Sequence, residues 1–314
     1  LVHKSAPWHQ FRRGRVEALS ESAVVTATDE PRNEPFLGSE AVADGTLRRH
    51  QLRSRFRAVF PDVDVRRDQQ LTARQLAVAG WLWSHRQGVL AGLTAAGWHG
   101  SKWVDERLPV ELIWSNARPP RGLRTYDMRI HPKESSVVES VPVTTPPRTA
   151  FDIGCRKPVG FAIAQLDALF RATGVTVHET AEVAERYPGA RGLRQLETAL
   201  DLADAGSQSP KETWLRLLLI RAGLPRPTTQ IRVVTADGAQ VYYLDMGWEN
   251  LMVAAEYDGE HHRVDRWQYA WDLRRREALD RLGWIVIRVI ATDRPPSIVS
   301  RVRDALEFRG SNLK

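Results

Sequence analysis

The 314-residue sequence predicts an α+β protein in two parts. A helical and mixed region comes first. A C-terminal region follows with the order α-β-β-β-α-β-α, a mixed sheet flanked by helices. Three observations lead there. Apolar runs of strand length lie at 229–235, 240–246, 251–258 and 284–290, bounded by turn residues. Stretches of helical period flank them at 210–222, 266–282 and 295–308. The polar segment Gly206-Ser207-Gln208-Ser209 separates this set from the preceding chain, and two domains are the ordinary expectation at this length.

Residues 1–35 read as a disordered tail, because polar and charged residues alternate without period and Pro31 and Pro35 punctuate its end. Residues 36–205 form the first domain. It opens with a short helix around 40–43, a turn at Asp44-Gly45, an arginine-rich helix over 46–57 and a strand over 59–65. Arg48, Arg49, Arg53, Arg55 and Arg57 are either a solvated face or a DNA-contacting one. Helices are expected at 72–85, stopped by Gly88, and at 89–98. Strands are expected at 110–114, 125–131 and 137–143. Thr145-Pro146-Pro147 reads as a helix start. Three more helices lie near 158–172, 176–186 and 191–203. Trp81, Trp83, Trp98 and Trp114 read as core residues, and His85, His99 and His131 as isolated structural histidines.

In the second domain, 206–314, Ser209 caps a helix whose first position is Pro210, and Gly223 ends it. A hairpin turns at Asp237-Gly238. The turn 247–250 leads to the third strand. Gly283 stops the long charged helix. Unbroken apolar character makes 284–290 a buried strand. The domain holds a full sheet and is expected to fold alone, with 205–209 as the linker.

The apolar strands deliver carboxylates. Asp245 closes one; Glu256 and Asp258 close the next. Side chains alternate, so Glu256 and Asp258 share one side. Carboxylates on a half-buried surface need a partner or a cation. Three that converge suggest a hard-cation site, since Mg²⁺ takes oxygen ligands and one or two carboxylates. The bland alternatives are a turn aspartate for Asp245 and a turn pair for Asp258-Gly259. Glu212 is either the far end of a capping box with Ser209 or a fourth site acid. His261 and His262 follow the acids and are loop histidines or, His262 first, a general base. Asp272 and Arg275 have the spacing of a helix-surface ion pair. Arg288, on a buried strand, needs a partner among the site acids.

The ordered set Ser209-x-x-Glu212, Asp245, Glu256-Tyr257-Asp258-Gly259, His262, Asp272-x-x-Arg275, Leu279, Gly283-Trp284 and Arg288 resembles the nuclease-like family allied to the very-short-patch mismatch repair endonuclease. That family belongs to the PD-(D/E)xK superfamily. The resemblance covers about the last third of the chain. It implies a metal-dependent DNA endonuclease, serving repair or defence, with Asp245, Glu256 and Asp258 as Mg²⁺ ligands (Mn²⁺ as substitute). Glu212 and His262 join them as catalytic residues, Asp272 and Arg275 position their helix beside the site or contact phosphate, and Arg263, Arg274 and Arg275 contact DNA. One departure stands out: Asp258 occupies the superfamily's lysine position. In the first domain Ser84-His85-Arg86 and Pro147-Arg148-Thr149-Ala150-x-Asp152, with the flanking strands, resemble the AbiEi-antitoxin-like region of actinobacterial proteins of this type, with a shortened winged-helix start. That leaves an alternative open, a non-enzymatic DNA-binding regulator on a relic nuclease fold.

Composition sets the outer bounds. The net charge of +7 permits a polyanionic partner. Residues 261–314 carry twelve Lys and Arg against seven Asp and Glu, so the excess sits beside the acids. No apolar run approaches the ~18 residues of a membrane span, and no secretory signal opens the sequence. Cys155 is the only cysteine, which excludes an intrachain disulfide and favours the cytoplasm. A protein partner or a second copy of the chain is left open.

Overall fold

The structure, a computed structural model, describes residues 33–116, 118–235, 237–259 and 266–310, and no side chains within 266–270. The tail expected at 1–35 therefore lies almost wholly outside the described residues. The described residues form a mixed α/β protein with three sheets. No described helix is long and apolar enough to cross a membrane.

The first sheet is small. Strand β1 (Phe36–Leu37), helices α1 (Gly38–Ala43) and α2 (Arg49–Arg55), and strands β2 (Phe56–Phe60) and β3 (Val63–Arg66) open the described chain. The strand order is β1-β3-β2. The single strand expected over 59–65 is instead a hairpin. Pro61 cannot continue the ladder, and Asp62 takes a φ of 61° to turn the chain. Helix α2 buries no residue. Among the described residues only Leu47 and Leu52 lean on the cluster of Phe36, Ala41 and Phe56, too few to close a three-helix core. Arg48, Arg49, Arg53 and Arg55 are accordingly exposed, while Arg57 donates to the Gln69 carbonyl.

The second sheet carries helix α3 (Ala73–Trp83), β4 (Val89–Leu90), α4 (Gly92–Trp98), β5 (Val110–Ile113), β6 (Leu123–Tyr126), β7 (Ser135–Val138) and β8 (Val141–Thr144), in the order β6-β5-β4-β8-β7. The helix expected over 89–98 is therefore a strand, then a helix. Leu90 is claimed by ladders to Leu112 and Val143, and Gly92, at a φ of 53°, restarts the chain as α4. The Glu111 carboxylate accepts the Leu93 N–H at 2.7 Å and fills the space a side chain on Gly92 would need. The strand expected at 137–143 is likewise a hairpin, turned by Glu139 and Ser140, both at positive φ. The strand expected at 125–131 is β6, set earlier by its register with β5. Trp83 and Trp98 are buried, and Trp83 meets Trp114 edge to face at 5.0 Å. His99 bonds the Thr144 carbonyl, as a structural histidine should.

Helices α5 (Pro146–Arg156), α6 (Val159–Thr173), α7 (Val177–Glu185) and α8 (Leu193–Leu202) pack into one core around Ile153, Ile163, Leu166, Leu169 and Leu196. Next to it, Arg148 is fully buried between Glu134 and Asp152.

The last region reproduces the expected order: α9 (Pro210–Arg221), β9 (Thr228–Val234), β10 (Val241–Trp248), β11 (Val253–Tyr257), α10 (Arg266–Arg281), β12 (Ile285–Val289) and α11 (Pro295–Phe308). The sheet runs β12-β11-β10-β9, with β11 and β12 parallel and the other pairs antiparallel. Leu215 and Leu219 of α9, with Ile298, Val302 and Leu306 of α11, cover one face. Leu279 of α10 and Trp284 cover the other.

Helix α9 does not hang from a free linker. Leu217 joins the core of α5–α8, while Leu215 and Leu219 join the sheet core. Arg216, buried, donates to Asp167 of α6 at 2.7 Å, to Ser207 Oγ and to the Leu202 carbonyl. Asp167 also accepts from Thr213 Oγ1 and the Asp204 N–H, both at 2.7 Å. The boundary expected at 205–209 is thus crossed by a buried charge pair, and excising 206–314 would uncover Arg216 and Leu217. Removing one partner of such a pair strands the other charge. Asp167→Ala should therefore lower the unfolding free energy by about 3–5 kcal/mol in urea titrations. A loss below about 1 kcal/mol would show that the pair carries little of the junction.

Candidate functional site

Asp245 sits inside β10, not at its end. Leu244 packs on the α10 side of the sheet, whereas Met246 packs on the α9 side. Two residues apart on a regular strand share a face, so the alternation breaks at Asp245. Gln230, opposite on β9, has a φ of 52°, which marks the same irregularity. The break lets Asp245 reach across to β11, where its Oδ2 accepts the Tyr257 N–H at 2.9 Å.

Glu256 and Asp258 share the α10 side with Ala254, as the alternation predicts. Glu256 is 8% exposed. Arg275 grips it with both guanidinium ends: Nη1 donates to Oε2 at 3.0 Å and Nη2 to Oε1. Arg275 Nη2 also donates to the Tyr243 carbonyl. The expected helix-surface pair of Asp272 and Arg275 is superseded by this bidentate clamp. Arg288, in register with Glu256 on the parallel neighbour, reaches Asp258 at 4.0 Å. Asp245, Glu256, Tyr257, Asp258, Asp272, Arg275 and Arg288 all line one cavity of about 210 Å³.

Glu212 is not the far end of a capping box. Ser209 Oγ accepts the Glu212 N–H at 3.2 Å and caps α9. The Glu212 carboxylate does not complete the reciprocal box; it accepts the Gln208 N–H at 2.7 Å. Its charge lies close enough to disturb Asp245. Burial, then Glu212, then Glu256 push the Asp245 carboxyl up to about 7, against the Tyr257 N–H and Arg275.

Acid crowding around Asp245 is the condition that a divalent cation relieves, and the donors are hard oxygens. Asp245 with Glu212 or Glu256 therefore suits Mg²⁺, which needs one or two carboxylates. The three-carboxylate cage of Asp245, Glu256 and Asp258 does not form. Among the described residues no three His, Cys, Asp or Glu gather as metal ligands. The physical reason is competition: Arg275 holds Glu256, and Asp258 leans to Arg288. His261, His262 and Arg263 lie outside the described residues. Arg274 is exposed on α10; Arg48 and Arg49 belong to the exposed α2. Cys155 has its thiol pushed up to about 11, chiefly by burial, which makes it a poor nucleophile.

The clamp was not legible. Its two residues stand 19 apart in sequence. The only hint was a buried carboxylate that needed a counter-charge.

The folded Asp245 carboxyl titrates near 7, above the ~3.9 of an unfolded aspartate. The native state thus binds the extra proton, and stability falls as pH rises from about 4 to about 7. Asp245→Asn should flatten that slope and gain on the order of 2–4 kcal/mol over wild type at pH 8 without divalent cation. Urea melts across this pH range would read it, and parallel curves for the two proteins would contradict the assignment.

No protein-family model matches the chain. Over 189 residues it is 25% identical to "Uncharacterized protein Rv2248" of Mycobacterium tuberculosis (strain ATCC 25618 / H37Rv). It is equally similar to "Uncharacterized protein MT2308" of Mycobacterium tuberculosis (strain CDC 1551 / Oshkosh). The matched stretch covers 58% of this chain and 69% of each relative.

Proposed function

We propose that the C-terminal region is a metal-dependent DNA endonuclease of the PD-(D/E)xK type, in the very-short-patch-like branch, that hydrolyses phosphodiester bonds in the cytoplasm. The observation that carries this reading is the crowding of Glu212 and Glu256 on a half-buried Asp245 at a break in the strand. Perturbed carboxylates in a cleft are poised for such chemistry. The basic excess of residues 261–314 beside them suits a polyanion.

Asp245 and Glu212 would hold Mg²⁺ or Mn²⁺, with Glu256 beside them. The bound cation would supply Lewis acidity toward the scissile phosphate and acidify the attacking water. The chain's own residues do the rest. Deprotonated Asp245 provides the negative charge for loading. Arg275 steadies Glu256 and offers positive charge beside the phosphate. His262 would take the proton from water, since Asp258 stands where the superfamily has its lysine.

A second reading has its own observation. Arg275 clamps Glu256 and Arg288 lies 4.0 Å from Asp258, as in a pocket that never loads metal. The protein would then be a DNA-binding regulator of the antitoxin type. Cleavage of single- and double-stranded DNA with Mg²⁺ and Mn²⁺ separates the two. The nuclease reading expects cleavage abolished by Asp245→Ala and slowed by about 10²–10⁴ in His262→Ala, with loss of the pH limb near 6.5. Salt-dependent DNA binding with no cleavage under either metal would favour the regulator.

A further inference from the structure

A second cavity adjoins the acidic one. It is about 580 Å³ and runs along the free edge of β12. Among the described residues β12 is hydrogen-bonded to β11 alone, so its outer edge forms the floor. Helix α10 supplies one wall through Arg275, Arg276 and Asp280; α11 supplies the other through Arg301 and Asp304. Arg275 and Arg288 line both cavities. The groove is therefore continuous with the acidic site, and a chain lying in it passes the carboxylates.

The groove is lined by four arginines and two aspartates, and three of the arginines are paired with acids outside it. Two arginines are engaged with the acidic site, Arg275 with Glu256 and Arg288 with Asp258. Arg301 donates to Asp293 at 2.5 Å and to the Arg288 carbonyl, which closes part of the strand edge. Arg276 differs. It is exposed, and among the described residues it has no hydrogen bond or ion pair. A cation held at a groove rim without an internal partner is available to a ligand anion. Guanidinium suits phosphate, to which it can present two parallel N–H donors.

We infer that this edge groove, with Arg276 as its free cation, is the track for the phosphodiester backbone of the nucleic acid strand flanking the acidic site. The inference rests on the nucleic-acid part of the proposed function and adds the binding path. Asp304, on the opposite wall, opposes the strand and tunes its affinity. Arg276 is a binding residue here and takes no part in the chemistry.

The test is fluorescence anisotropy of the full chain with a labelled DNA duplex and a labelled single strand, in EDTA, over a salt series. Three variants are compared with wild type: Arg276→Glu, Asp304→Lys, and Arg121→Glu as a matched charge change on the exposed loop before β6. Arg276→Glu is expected to weaken binding by about tenfold or more, and to reduce the slope of log affinity against log salt by about one to two. Asp304→Lys is expected to strengthen binding and steepen the slope, a gain that a misfolded variant cannot show. If wild type binds with a salt slope and Arg276→Glu falls no further than Arg121→Glu, the groove is overturned and the nucleic-acid reading stands. If wild type shows no salt-dependent binding, both fall together.

Discussion

Helix α9 has to be buried on two sides at once, and the rest of the molecule is arranged around that requirement. Leu217 faces the helical core, while Leu215 and Leu219 face the sheet. An arginine lies between them in sequence, and Arg216 could not enter such a helix uncompensated. Leaving it unpaired would cost several kcal/mol, a large share of the ~5–15 kcal/mol by which domains are stable. Asp167, Ser207 and the Leu202 carbonyl supply its partners. The same helix carries Glu212, whose charge helps to raise the Asp245 carboxyl. The junction between the two regions and the charge state of the candidate site therefore share one element.

Within the site, two kinds of neutralisation compete. Arg275 and Arg288 quench the carboxylates that lie on the α10 side. Asp245 is placed beyond their direct grip by the break in β10 and is quenched only by a backbone N–H and by Arg275 at a distance. Burial and two neighbouring acids outweigh these, so its carboxyl stays protonated to about neutrality. A dication binding there would need that proton to leave. The arginines that serve the acids, Arg275 and Arg288, also line the β12 edge groove, so the two cavities share them.

Most of the C-terminal fold was legible because its elements carry local signals. Alternation places Glu256 and Asp258 on one side, Gly283 ends α10 at a φ of 84°, and Pro210 opens α9. The first region was less legible where one or two residues decide. Pro61-Asp62 and Glu139-Ser140 split apolar runs into hairpins, and Gly92 splits a strand from a helix. Apolar runs of this length do not distinguish such cases by period. The carboxylates of the site were visible as charges in apolar strands. Their partners were not: Arg216 and Asp167 stand 49 residues apart, and nothing local joins them. The face switch at Asp245 is also invisible, because it arises from its pairing with β9.

In the proposed function Asp245, crowded by Glu212 and Glu256, is a protonated acid that would give up its proton on binding a dication. Calorimetric titration of Mn²⁺ into the full chain at pH 6.5, in two buffers of different ionisation enthalpy, tests it most directly. Saturable binding should release a substantial fraction of one proton, with both the binding and the proton release lost in Asp245→Asn. Binding that is absent in wild type, or that persists unchanged in Asp245→Asn, would contradict it.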